Sequence, residues 1–181
     1  MAVFDYNRAW QKYKEVPMML ETIKRLQDFD IFHYLRGSNL LLAEKASQLL
    51  PHHNQEYIAW MTVCDGGLLF DTTLLSVQAY DSDLDISFSS LEEYNTQEAH
   101  QEFALPQGYF CIAIRSYGDP ICLSDHDSKV YLWDCEQEAF DTIWDSFEDF
   151  LADETDTAIE LIGNGDLEPI PVKMNGEDAD E

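Results

Sequence analysis

The sequence predicts an α+β fold, an antiparallel sheet of about four to six strands flanked by helices, with the helices covering one side of the sheet. Three observations predict it. Amphipathic stretches with helical spacing cluster before residue 66 and again after residue 139, while the β-rich stretches lie between them. The period changes at Gly66 and Gly67, after which Leu, Thr, Val and Phe dominate. The strand-like runs after Gly108 are joined by links too short for a crossover, which implies hairpins.

Taken in order, Met19, Ile23 and Leu26 recur at helical spacing, with Pro17 where a helix can begin, and Gly37 closes the segment. A helix from about Ser38 to Leu50 follows, with Leu42, Ala46, Leu49 and Leu50 on one face and Ser38 as its cap; Pro51 stops it. Tyr57, Trp60, Met61 and Cys64 mark the next helix, which Asp65, Gly66 and Gly67 are expected to end as a left-handed cap. Leu68 to Tyr80 reads as strand, Asp81 to Asp85 as loop, and Ser90 to Glu102 as a short helix. Strands are expected at Tyr109–Ser116, Pro120–Ser124 and Lys129–Asp134, separated by turns at Tyr117–Asp119 and Asp125–Ser128. Phe140, Ile143, Trp144, Phe147, Phe150 and Leu151 make one apolar stripe, which predicts a single final helix. The expected organisation is an N-terminal helical extension over 1–37, a domain over 38–162, and a mobile acidic tail over 163–181.

Charge separates this chain from most domains of its length. Thirty-six Asp and Glu face ten Lys and Arg, a net charge of −26. Seven of the ten basic residues lie before residue 46, so residues 46–181 carry a net −27. Such a surface repels nucleic acid and anionic lipid and attracts basic surfaces, although the same charge also serves solubility alone. The start of the chain shows no basic run followed by an apolar one, and the longest apolar stretch, Tyr109 to Ile114, is far too short to cross a bilayer. Four cysteines without paired close spacing fit a reducing cytoplasm, where they serve as small buried hydrophobes.

Several constellations bear on chemistry. Asp81, Asp83 and Asp85 alternate as calcium ligands do, but Ile86 stands at the sixth position, where the sharp turn of a calcium loop needs glycine. Asp125, His126 and Asp127 sit in a tight turn, where Asp is common for backbone reasons. His52 and His53 are adjacent and point apart on a helix, so they do not share a metal. No nucleophile elbow, P-loop or dinucleotide fingerprint is present. The expectation is a non-enzyme with no cofactor and no metal.

Five pieces in order resemble the SUKH superfamily, which includes fungal cell-wall-assembly regulators and many bacterial immunity proteins. They are Leu50-Pro51 with the Tyr57 helix closing on Cys64-Asp65-Gly66-Gly67; Leu91 to Asn95; Leu105-Pro106 leading into Tyr109–Ile114; Gly118-Asp119-Pro120-Ile121-Cys122-Leu123 followed by Val130–Asp134; and Ser146 to Leu151. Asp65 stands where the family usually carries Asn. The similarity runs from about Leu40 to Leu161.

The resemblance implies a binder and not a catalyst. Bacterial members are similar to immunity proteins that neutralise toxins, often nucleases, and a nuclease presents a basic face to its phosphates. Family and charge together point to an inhibitor of a basic toxin domain, binding through Asp81, Asp83 and Asp85 and through Asp119, Asp125 and Asp127 at the hairpin turns. A housekeeping regulatory or scaffold protein is the alternative. Nucleic acid and membrane are not expected partners, and the sequence leaves the oligomeric state open.

Overall fold

The computed structural model describes residues 3–50, 54–81, 86–87 and 89–170. Its centre is a seven-stranded sheet in the order β1-β2-β3-β6-β7-β8-β9, every neighbouring pair antiparallel. The strands are β1 (Tyr34–Gly37), β2 (Cys64–Leu69), β3 (Thr72–Leu74), β6 (Tyr109–Arg115), β7 (Pro120–Ser124), β8 (Val130–Asp134) and β9 (Ala139–Trp144). Between β3 and β6 the chain leaves the sheet for a two-stranded ribbon, β4 (Tyr80–Asp81) with β5 (Ile86–Ser87), and for two short helices, α5 (Leu91–Tyr94) and α6 (Gln97–Glu102). The α+β class is as the sequence predicts. The sheet is wider than expected because two segments that the sequence does not predict as strands, β1 and β9, form its two edges.

Helices lie on both faces. The long helix α7 (Phe147–Asn164) packs with α2 (Pro17–Asp28) and α4 (Gln55–Trp60) on one face, while α1 (Tyr6–Tyr13) packs on α2. Residues 3–37 thus share the domain's core: Phe4, Ala9, Tyr13, Met19, Ile23, Leu26 and Leu35 are buried in the same cluster as Trp60 and Phe150. Aromatic rings join the helices: Tyr57 meets Phe147 edge-on at 4.8 Å, and Trp144 of β9 meets Phe150 at 5.1 Å. Strand alternation then places Tyr131 and Trp133 on the opposite face. There Trp133 donates from its indole to the Phe103 carbonyl just beyond α6, at 2.9 Å.

Three local readings are corrected. Gly66 and Gly67 do not cap a helix; α4 ends at Trp60, and both glycines lie inside β2 with φ of +77° and +132°. Glycine is required because a Cβ on Gly67 would sit 2.2 Å from the Tyr34 carbonyl oxygen, and one on Gly66 would sit 2.7 Å from that of Leu74. Adjacent strands crowd the backbone from both sides. The stripe running from Phe140 to Leu151 is also two elements. Phe140, Ile143 and Trp144 belong to β9, and Ser146 begins α7 by accepting from the Asp149 amide at 3.0 Å. Finally, Asn39 caps α3 (Leu40–Leu49), accepting from the Leu42 amide at 3.0 Å, in place of Ser38.

Two buried charge networks tie the layers together. Glu154 of α7 accepts from Arg115 Nη2 at 2.6 Å, from Arg115 Nη1 at 2.7 Å and from the Thr72 hydroxyl at 2.7 Å. Asp65 accepts from the Val77 amide at 2.8 Å and faces Arg36 at 3.8 Å, so it holds the chain leaving β3 against β2.

Candidate functional site

The face of the sheet opposite α7 carries the features that suit a protein interface. Tyr109 begins β6, Tyr131 lies on β8, and Phe140 and Ile143 lie on β9. Their rings form one cluster, with Tyr109–Phe140 at 4.6 Å, Tyr131–Phe140 at 5.1 Å and Tyr109–Tyr131 at 5.2 Å. Pairing explains the assembly. Tyr131 lies opposite Ile143 and Trp133 opposite Phe140, with a bulge between Leu132 and Trp133 that brings Phe140 beside Tyr131. At this end of the cluster Ile143 is 53% exposed, and Tyr109 and Phe140 are half-buried.

Carboxylates rim it. Asp125 and Asp127 stand in the β7–β8 turn, and Asp145 follows β9 on the same side as Ile143. Asp127 is partly engaged within the fold. It accepts from the Lys129 amide at 3.0 Å and from the Tyr131 hydroxyl at 2.8 Å; burial first, and then Asp127, push the Tyr131 phenol well up. Asp145 accepts from Lys129 Nζ at 2.6 Å, an exposed pair that holds its carboxyl below the usual range. Asp125 is open to solvent and accepts from His126 Nε2 at 2.9 Å when that ring is protonated there. A ring platform inside a rim of negative charge is suited to a basic protein surface: aromatic anchors supply affinity and the charges steer encounter.

The six acids singled out from the sequence are not brought together as one group. Asp125 and Asp127 share the β7–β8 turn, whereas Asp119 lies at the other end of β7, six residues before Asp125 and so about 20 Å away along the extended strand. There Asp119 accepts from the Cys135 amide at 3.1 Å and fixes the β6–β7 turn against the end of β8. Asp81 closes the two-residue strand β4, and Asp83 and Asp85 lie outside the described residues.

Tyr109, Phe140, Ile143 and Asp145 were missed as surface residues. Helical spacing in the 140–151 stripe masked the β-strand, although the Ser146-to-Asp149 cap spacing marks where α7 must begin. Cys111 and Cys122 are direct cross-strand partners, as adjacent strands allow, and both are free thiols. Burial pushes the Cys122 thiol up, and the neighbouring Cys111 adds to that. Among the described residues no group of three or more His, Cys, Asp or Glu is placed to hold a metal ion, and no helix is long and apolar enough to cross a membrane.

Residues 54–153, more than half of the 181, match the profile described as the SMI1 / KNR4 family (SUKH-1). The matched stretch runs from the residue before α4 to the second turn of α7 and so contains the sheet from β2 to β9. No curated protein matches the chain.

Proposed function

The chain belongs to the SMI1 / KNR4 family (SUKH-1), and from that premise we propose that it is an immunity-type inhibitor, a cytoplasmic binding protein that neutralises a basic, nuclease-like toxin domain. Domains of this family generally bind protein partners and are generally not enzymes. The observation that carries the finer reading is the ring cluster Tyr109–Tyr131–Phe140, with Tyr109 and Phe140 half-buried and Ile143 exposed beside it, rimmed by Asp125, Asp127 and Asp145. A net charge of −26 extends the same attraction beyond contact distance and favours fast, steered association with a cationic partner. The acids Asp81, Asp83, Asp85 and Asp119 add their charge to this field.

Affinity capture from the native lysate tests the reading, carried out at low salt and again near 0.5 M, where the screening length is about 4 Å and diffuse attraction vanishes. A basic toxin-like protein retained in stoichiometric amount, and inhibited when the complex is assayed, is the expected result. A cellular regulatory protein in its place would overturn the toxin assignment and favour a housekeeping role.

A further inference from the structure

We infer that the cavity between α6 and the β6–β7 turn is an arginine-side-chain receptor, a subsite that takes one guanidinium from the protein partner; the inference rests on the binding role proposed above and adds a second contact distinct from the ring platform. The cavity measures about 580 Å³, within the range of ligand-holding clefts, and Glu93, Tyr94, Glu102, Phe103, Ile114 and Gly118 line it. Of the eight lining residues, which also include Ser89 and Ala99, two carry carboxylates, two carry aromatic faces, and none carries a positive charge. Ring faces and carboxylates together are what a planar cation uses: it stacks on the rings and bonds the carboxylates through its edge.

The walls are fixed before any ligand arrives. Tyr94 and Phe103 lie nearly parallel, 16° apart with centroids at 6.0 Å. Asn95, next to Tyr94, is clamped to β6: its side chain accepts from the Cys111 amide and donates to the Cys111 carbonyl, both at 2.8 Å. The Phe103 carbonyl is held by the Trp133 indole. Among the described residues no Lys, Arg or His pairs with the Glu93 or Glu102 carboxylate. The nearest arginine in the chain, Arg115, follows Ile114 but is drawn to the opposite face of the sheet by Glu154. A second cavity of about 630 Å³ on the other side of α6 makes the contrast. Its lining is Asn, Gln, Thr, Ala, Leu and one His, with no carboxylate and no aromatic pair, so it lacks the means to hold a cation.

The test uses the full chain and two blocked tripeptides, acetyl-Gly-Arg-Gly-amide and the same peptide with citrulline, which keeps the shape and loses the charge. In heteronuclear NMR titrations the arginine peptide is expected to give saturable shifts centred on the amides of Tyr94, Phe103, Ile114 and Gly118, with about millimolar affinity and the citrulline peptide at least about tenfold weaker. The double variant E93Q/E102Q, altered at two exposed helix positions, should abolish the difference between the peptides. Equal binding of the two peptides, arginine-induced shifts that avoid these amides, absence of saturation, or an unaffected E93Q/E102Q would each overturn the subsite. Failure here leaves the toxin-inhibitor reading standing if capture recovers its partner. Conversely, a subsite that binds arginine while capture returns no basic partner separates the two in the other direction.

Discussion

Replacing Arg115 with alanine removes the cation that neutralises a carboxylate inside the fold. Glu154 has a side chain only 3% exposed and loses both guanidinium bonds, at 2.6 and 2.7 Å, keeping only the Thr72 hydroxyl. Breaking one side of a buried pair costs about 3–5 kcal/mol. Arg115 is itself 14% exposed, so some water reaches the site and the lower end, about 3 kcal/mol, applies. With a urea dependence of about 2 kcal/mol/M, the unfolding midpoint should fall by about 1.5 M at pH 7.

The pH dependence sharpens this expectation. Burial raises the Glu154 carboxyl above its usual range, and Arg115 pulls it the other way. Without Arg115 it rises further, so the folded state of the variant binds a proton that the unfolded state binds only at lower pH. A group raised in this way contributes stability below its unfolded pKa and loses it as pH rises. The deficit of R115A should therefore shrink toward about 1 kcal/mol near pH 4, the cost of the lost hydrogen bonds alone. Equilibrium urea unfolding of parent and variant at both pH values measures it, and R115M/E154M, with no buried charge, should recover most of the loss. A deficit under about 1 kcal/mol at pH 7, or one equal at both pH values, would refute the account of the pair.

His33 is buried, meets the Tyr6 hydroxyl at 3.0 Å through Nε2, and burial lowers its pKa to about 4. The unfolded chain therefore binds the extra proton first, and the parent should lose up to about 3 kcal/mol relative to H33Q between pH 6.5 and pH 4, measured by denaturant unfolding of the two. G67A should destabilise by more than about 2 kcal/mol or fail to fold, since its Cβ would meet the Tyr34 carbonyl at 2.2 Å with φ at +132°. G163A, in open space on α7, should gain about 0.5–1 kcal/mol in thermal unfolding. D119N weakens the acceptor for the Cys135 amide and should cost about 1 kcal/mol, with hydrogen exchange at Cys135 accelerated.

The α+β class was legible because hairpin links and amphipathic periods are local signals. Turn residues at Tyr117–Asp119 and Asp125–Ser128 fall where the β6–β7 and β7–β8 connections lie. The glycines of β2 were not legible, since a glycine pair after a helical stretch suits a left-handed cap and a crowded strand equally, and only the approach of Tyr34 from 33 residues upstream separates the two. β1 was hidden for a related reason: its four residues become a strand by pairing with β2 across an intervening pair of helices. The ring platform was half legible. Tyr131 and Trp133 announce themselves on a strand, but Phe140 and Ile143 sit at distances that also fit the stripe of α7. The acids were visible one by one, yet their grouping depends on the sheet, which sends Asp119 to one end of β7 and Asp125 and Asp127 to the other.

Association kinetics test the central claim most directly. The protein recovered by capture would be mixed with the parent chain and with D125K/D145K in stopped flow, from low salt to about 0.5 M, where charge attraction is screened within about 4 Å. The account predicts a parent rate that falls steeply with salt, and a variant that associates more slowly at low salt with a flatter dependence. Equal rates for parent and variant across the whole series would contradict it.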